Sequence, residues 1–300
     1  MKKRIIFLTT LTLVFLSCFC SCSSGKDHKI NIAAKDFTEQ YILGEILKEM
    51  IEKNTDHEVE LTSGVAGETS VILPAMAAGE FDISSDYDTT AWLTVLKKNR
   101  NNDINAMHRD LDAQYRQKYG LTWLGFYGFD NKYNLVVRKE TAEAYHLKTF
   151  SDLAARSREI TFGAGYEFYE REDGYEGLVK CYGFTFKETK EMNLSLKYTA
   201  LHDGKVDVIT VYKTDGRLAD KSLVELEDDL HYFPQALCGT VIREEIVEKY
   251  PEIVLALEKL NDQISNDEMR AMNAAVDMKG RDAKKIAHEF LSKKGLIPND

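Results

Sequence analysis

Two stretches of this chain, "AGEFDISSDYDTT" (78–90) and "DGKVDVITVYKTD" (203–215), share one pattern. Gly79 aligns with Gly204, Asp82 with Asp207, Ile83 with Val208, Tyr87 with Tyr212 and Thr89 with Thr214. Upstream, Ala75 aligns with Ala200, and every pair is 125 residues apart. Each phrase reads as the end of a helix, a glycine turn and the entry into a strand. A chain that does this twice builds the same α/β unit twice. Each tyrosine then sits at or beyond the carboxyl end of its strand, where open α/β sheets bind ligands. Two such units facing each other present Tyr87 and Tyr212 to one cleft.

The surrounding pattern agrees. "KINIAA" (29–34) alternates as a strand does, and Asp36 with Glu39 makes a capping-box-like helix start. Ile42, Leu43, Ile46, Leu47, Met50 and Ile51 then recur at helical spacing. "EVELTS" reads as a strand, Ser70 to Ala78 as a helix and "FDIS" as a strand. The order strand, helix, strand, helix, strand predicts a mostly parallel α/β layer. It restarts with strands at "YNLVVR" (133–138) and "EITFGAG" (159–165), with helices at "SDLAARS" and "YEGLVKCYG". "TALHDGKVDVITVY" reads as helix then strand, and from about Arg243 the pattern is helical, with Pro251 near a helix start. Three hundred residues suffice for two such lobes.

The first residues have a different purpose. Lys2, Lys3 and Arg4 precede an apolar run, Ile5 to Leu16, too short to span a bilayer. "SCFCSCSSGKD" follows, and the whole reads as a secretion signal. Cysteine after a small residue resembles a bacterial lipoprotein processing site. Cys18 and Cys22 both follow serine, and Cys22 is preferred because a polar tether begins directly after it. Residues 1–22 are thus expected to be a signal peptide, with the mature protein outside the cytoplasmic membrane on a lipid anchor. A net charge of −10 disfavours nucleic acid as a partner. Beyond the signal only Cys181 and Cys238 remain, either as one disulfide or as two free thiols.

Seven phrases in order resemble the substrate-binding proteins of osmoprotectant ABC transporters, the glycine betaine, carnitine and choline importers. They are "AAKDFTEQYILGEIL" (33–47), "GEFDISSDYDTTA" (79–91), "FDNKYNLVVR" (129–138), "EFYEREDGYEGL" (167–178), "VYKTDGR" (211–217), "EDDLHYFPQ" (227–235) and "NAAVDMKG…IAHEFL" (273–291). The resemblance implies a type II periplasmic-binding-protein fold, two α/β lobes joined by a two-strand hinge with a ligand cleft between them. The implied lobes are residues 28–128 plus 226–300 and residues 129–225, with crossings near Gly128 and Glu225. It also implies no enzymatic activity and no cofactor, with an ABC permease and its ATPase as partners.

The implied ligand is a small quaternary ammonium or zwitterion, and the chemistry suits the residues. A quaternary ammonium has no N–H to donate, so aromatic faces hold it, at about 0.5–2 kcal/mol each. Tyr87, Tyr133 and Tyr212 match the cage walls of the family. Lys35, Thr90 and Arg171 match the donors for a ligand carboxylate, with the arginine fork suited to a two-bond grip. Each has an ordinary alternative: a solvated loop lysine at 35, a helix cap at Thr90, a charge-run or lobe–lobe ion pair at Arg171. One departure is plain. The family has a tyrosine in "FFPPY", whereas this chain reads "YFPQALCG" and places Ala236 at the fourth wall. Tyr232, Phe233 or Trp92 could fill that gap, or the ligand could be larger, a different zwitterion or an amino acid. A sensor module on the same fold is a further alternative.

Enzyme motifs do not emerge. The kinase-like letters at 108–110 lack the downstream Asn, the glycine loop and "DFG". There is no H-E-x-x-H, C-x-x-C, G-x-S-x-G or Walker loop, so neither a zinc centre nor an ATPase is expected in this chain.

Overall fold

The computed structural model describes residues 29–298 apart from 67, 102, 194 and 195. The expected signal peptide, with Cys18 and Cys22, lies outside the described residues. The chain begins β1 (Ile30–Lys35), α1 (Thr38–Asn54), β2 (Val59–Val65), α2 (Glu68–Ala78), β3 (Ile83–Tyr87) and a π-helical turn (Thr90–Val95). It continues α3 (Ile104–Tyr119), β4 (Leu121–Asp130), β5 (Tyr133–Arg138), α4 (Lys139–Tyr145), α5 (Phe150–Arg156), β6 (Thr161–Ala164) and α6 (Tyr166–Glu170). Then come α7 (Tyr175–Tyr182), β7 (Glu188–Glu191), α8 (Lys197–His202), β8 (Val208–Tyr212), a 3₁₀ turn (Gly216–Ala219) and β9 (Leu223–Glu225). The last part is β10 (Leu237–Arg243), α9 (Glu244–Lys249), α10 (Pro251–Glu258), α11 (Asn266–Asp277) and α12 (Ala283–Lys294). No helix among the described residues is long and apolar enough to cross a membrane.

Two five-stranded sheets form, ordered β2-β1-β3-β10-β4 and β7-β6-β8-β5-β9. In the first, β1 runs parallel to β2 and β3, and β10 runs against β3 and β4. In the second, β6 runs parallel to β7 and β8, and β5 runs against β8 and β9. The sheets therefore match position for position, with one strand in five reversed. That strand, β5 or β10, is the first to form after the chain crosses from the other sheet. β4 stays in the first sheet through Asp130, and the return runs through residues 226–236.

The repeated phrase is a structural rule carried out twice. Gly79 and Gly204 end α2 and α8 in the left-handed region, at φ +84° and +68°. The next amide donates to the carbonyl of Ala75 or Ala200, at 2.9 Å in both units. Asp82 then accepts from the Asn31 amide (2.9 Å) and the Arg243 guanidinium (3.0 Å). Asp207 does the same with the Thr161 amide (2.9 Å) and Arg138 (2.8 Å). Each aspartate thus ties β1 or β6 to the reversed strand of its sheet. This also moves the third strand: β3 starts at Ile83 rather than Phe81, because Asp82 is occupied at its entrance.

The apolar stripe of α1 is wholly buried against Ile30, Ile32 and Ile83 and against Leu257, Met269, Ile286 and Leu291 of the C-terminal helices. A second core gathers Leu135, Phe150, Phe162, Phe168 and Val208 with Tyr232 and Phe233 from the return crossing. Two expectations fail or resolve here. Asp36 and Glu39 do not form a capping box: α1 has Phe37 at its N-cap with no side-chain bond. Asp36 instead accepts from the Tyr41 hydroxyl, and Glu39 is turned inward. Cys181 is exposed and Cys238 buried, both as free thiols.

Candidate ligand-binding site

Lys35, Tyr87, Thr90, Tyr133, Arg171 and Tyr212, the six residues singled out above, line one cavity. Phe37, Asn131, Glu167, Asp173, Phe233 and Ala236 share its wall. The strands explain the convergence. Lys35, Tyr87 and Tyr212 are the last residues of β1, β3 and β8, and Tyr133 is the first of the reversed strand β5. Tyr133 and Tyr212 are also register partners.

The rings form a row from one sheet to the other. Phe37 stacks on Tyr87, with centroids 6.4 Å apart, and on Tyr212 at 5.9 Å, both at 24°. Tyr212 meets Tyr133 at 4.9 Å, and Tyr133 meets Phe233 at 5.8 Å. Sequence reasoning missed Phe37, although it lies in the "AAKDFTEQY" phrase two residues beyond Lys35. Of the three aromatics considered for the gap at Ala236, Phe233 lines the cavity. Tyr232 lies under the Arg100 guanidinium, 4.4 Å from it. Trp92 is buried in a separate cluster, its indole N–H donating to the Asn99 carbonyl at 2.7 Å.

The cationic side chains are arranged differently from expectation. Arg171 is buried, and its Nε and Nη2 donate to the two oxygens of Asp173 at 2.8 and 2.9 Å. The fork expected on a ligand is therefore closed on a neighbour, because a buried guanidinium needs a fixed counter-charge. Burial works against its charge, but Tyr133, Asp173 and Glu167 more than restore it and keep the group firmly protonated. Nη1 points the other way, donating to Glu167 and to the Thr90 hydroxyl, both at 3.2 Å. Thr90 thus meets Arg171 across the cleft and opens a π-helical turn rather than capping a helix with its side chain. Lys35 is 2% exposed, with Nζ 2.5 Å from Asp86, so it is no solvated loop lysine. Three cations (Lys35, Lys132, Arg171) and two carboxylates (Glu167, Asp173) line the cavity, with Asp86 behind Lys35.

Behind Tyr87 lies a buried carboxylate that sequence reasoning read only as a helix-start acid. Glu39 Oε1 accepts from the Tyr87 hydroxyl at 2.5 Å and from Asn131 Nδ2 at 2.8 Å. Its Oε2 accepts from Asn273 Nδ2 at 3.0 Å and from the Thr214 hydroxyl. Burial raises its pKa, partly offset by these donors.

Residues 28–293 match the model of the family described as the substrate binding domain of ABC-type glycine betaine transport systems. The chain belongs to this family. The carnitine transport binding protein OpuCC of Listeria monocytogenes is 36% identical over 98% of this chain and 97% of its own length. An ergothioneine transport permease/ergothioneine binding protein of Helicobacter pylori is 38% identical over 88% of this chain, which spans only 47% of that relative. A crystal structure of a glycine betaine/carnitine/choline ABC transporter chain superposes with a TM-score of 0.75 at 34% identity, covering 89% of this chain and 99% of that one. The fold is accordingly the type II periplasmic-binding-protein fold, and the chain is a substrate-binding protein of glycine betaine/carnitine-type ABC transporters.

Proposed function

We propose that this protein captures a zwitterionic quaternary ammonium solute between its two lobes and delivers it to an ABC permease from outside the cytoplasmic membrane. Cys22 carries the lipid anchor that keeps it there. The lobes divide between Asp130 and Tyr133 and again between Glu225 and Leu237. The trimethylammonium sits against Tyr87, Tyr133 and Tyr212, with Phe37 as a further wall. The carboxylate meets Thr90, Lys35 and the outward Nη1 of Arg171. The observation that carries this reading is the convergence of all six residues on one cavity with a row of aromatic rings. The cationic side chains of Lys35, Lys132 and Arg171 beside the rings favour a betaine, which brings its own carboxylate, over a simple cation. Calorimetry of the purified protein with glycine betaine, carnitine, proline betaine, ergothioneine and choline tests it. Binding by at least one betaine, with choline weaker, is expected; a folded protein that binds none of the five contradicts the reading.

A second reading keeps the cage and changes the size of the solute. Ala236 leaves space at the wall where the family has tyrosine. A bulkier betaine, of the kind named for the Helicobacter relative, would use that space. It predicts ergothioneine as the tightest of the five.

A further inference from the structure

The Tyr87 hydroxyl points away from the cavity's other rings and into the polar cluster around Glu39. Its 2.5 Å contact with Glu39 Oε1 has the length of a charge-assisted O–H···O⁻ bond. Gln40 Nε2 donates to the same hydroxyl at 3.2 Å, so the phenol proton is directed to Glu39. A phenol whose proton is drawn toward a carboxylate gains electron density on its oxygen and ring, and the ring face becomes more negative. A cation–π contact is electrostatic in origin, so it strengthens accordingly.

Glu39 is 2% exposed, and the four groups that donate to it are all neutral. Burial raises the pKa of Glu39, and a positive charge brought nearby holds it in the ionised form. Tyr87 and Phe37 stand between it and the cavity. Its donors also come from different parts of the molecule: Tyr87 ends β3, Asn131 lies in the first crossing, Thr214 follows β8 and Asn273 lies on α11. Movement of the segment after β8 relative to β3 therefore changes the environment of this one carboxylate.

We infer that Glu39 is a positioning residue of the site, which orients the Tyr87 ring and, through the Tyr87 hydroxyl, makes its face a stronger partner for a bound quaternary ammonium. This rests on the ligand class proposed above. The ligand's cation is the positive charge brought near Glu39, across the ring rather than by contact.

The test is a double-mutant cycle read by calorimetry with glycine betaine, using wild type, Glu39→Gln, Tyr87→Phe and the double variant. Glu39→Gln is expected to weaken binding about tenfold or more. In the Tyr87→Phe background, where the ring persists but its hydroxyl is gone, the same change is expected to matter less than about threefold. Tyr87→Phe alone leaves the ring in place and is expected to weaken binding, which gives a reading even if Glu39→Gln does not fold. Unchanged affinity in Tyr87→Phe, or an equal loss from Glu39→Gln with and without the hydroxyl, overturns the inference while leaving the ligand class standing. Failure of the wild type to bind any betaine overturns both.

Discussion

Arg171 keeps its charge where water cannot reach it. Its paired bonds to Asp173 hold the guanidinium flat, and that leaves Nη1 aimed at Thr90. Lysine has no fork, so Arg171→Lys keeps the charge and loses the geometry. Titration calorimetry is expected to show betaine affinity reduced about tenfold or more, since a charge-assisted bond contributes about 1.5–3 kcal/mol. At the opposite wall, Ala236→Tyr adds a ring where the sequence resemblance implies one. It is expected to tighten glycine betaine by up to about thirtyfold, on the scale of one cation–π contact. It should weaken ergothioneine, because the added ring takes the room a larger solute needs. Tyr87, Tyr133 and Tyr212 were legible in the sequence because each stands in a phrase with fixed neighbours. Phe37 and Glu39 were not. An aromatic before a helix and an acid in its first turn satisfy ordinary helix-start rules. Only the fold reveals that one faces a cavity and the other a buried polar cluster.

At the scale of elements, α11 ties the last quarter of the chain to the second sheet. A Cβ on Gly216 would lie 2.2 Å from the Ala274 amide nitrogen, so the 216–219 turn packs backbone to backbone against α11. Gly216→Ala must push them apart. The overpacking cost of about 1–3 kcal/mol predicts a fall in melting temperature of several degrees by calorimetric scan, with weaker ligand binding. The start of α11 is pinned by a capping box: Ser265 Oγ accepts from the Glu268 amide while Glu268 accepts from Ser265 and from Lys294 of α12. Burial opposes ionisation of Glu268, but Lys294 and Ser265 outweigh it and bring its pKa down to about 2 from 4.5. A depressed carboxylate stabilises the fold above its unfolded value, and that contribution fades as pH falls from about 4.5 toward 2. The melting-temperature gap between wild type and Glu268→Gln should therefore be full at pH 6 and shrink by pH 3. Helices α1, α2, α5, α7 and α8 and strands β1, β3, β5, β6 and β8 were readable from pattern, whereas α3 and α4 were not read. β4 and β10 were not, because glycines interrupt both and their pairing slips register twice. Alternation is the signal that such strands lose.

The whole molecule is two copies of one sheet plan facing each other, with the chain crossing twice. Its two-lobed form was legible from the 125-residue repeat, since six spaced identities or near-identities demand equivalent places in equivalent units. The expected crossings, near Gly128 and Glu225, fall beside the end of β4 at Asp130 and the end of β9 at Glu225. The segment after β9 keeps packing into the second core through Phe233 before it joins β10. A ligand held by both halves binds the closed form and not the unfolded chain. Saturation at a hundredfold its dissociation constant should add about 2.7 kcal/mol of stability, visible as a raised melting temperature. The most direct measurement is a crystal structure of the protein grown with whichever betaine binds tightest. The expected result is a quaternary nitrogen within about 6 Å of the ring centroids of Tyr87, Tyr133 and Tyr212, enclosed from both lobes. A betaine bound elsewhere, or one whose charged head avoids those rings, would contradict the aromatic cage on which the proposed function stands.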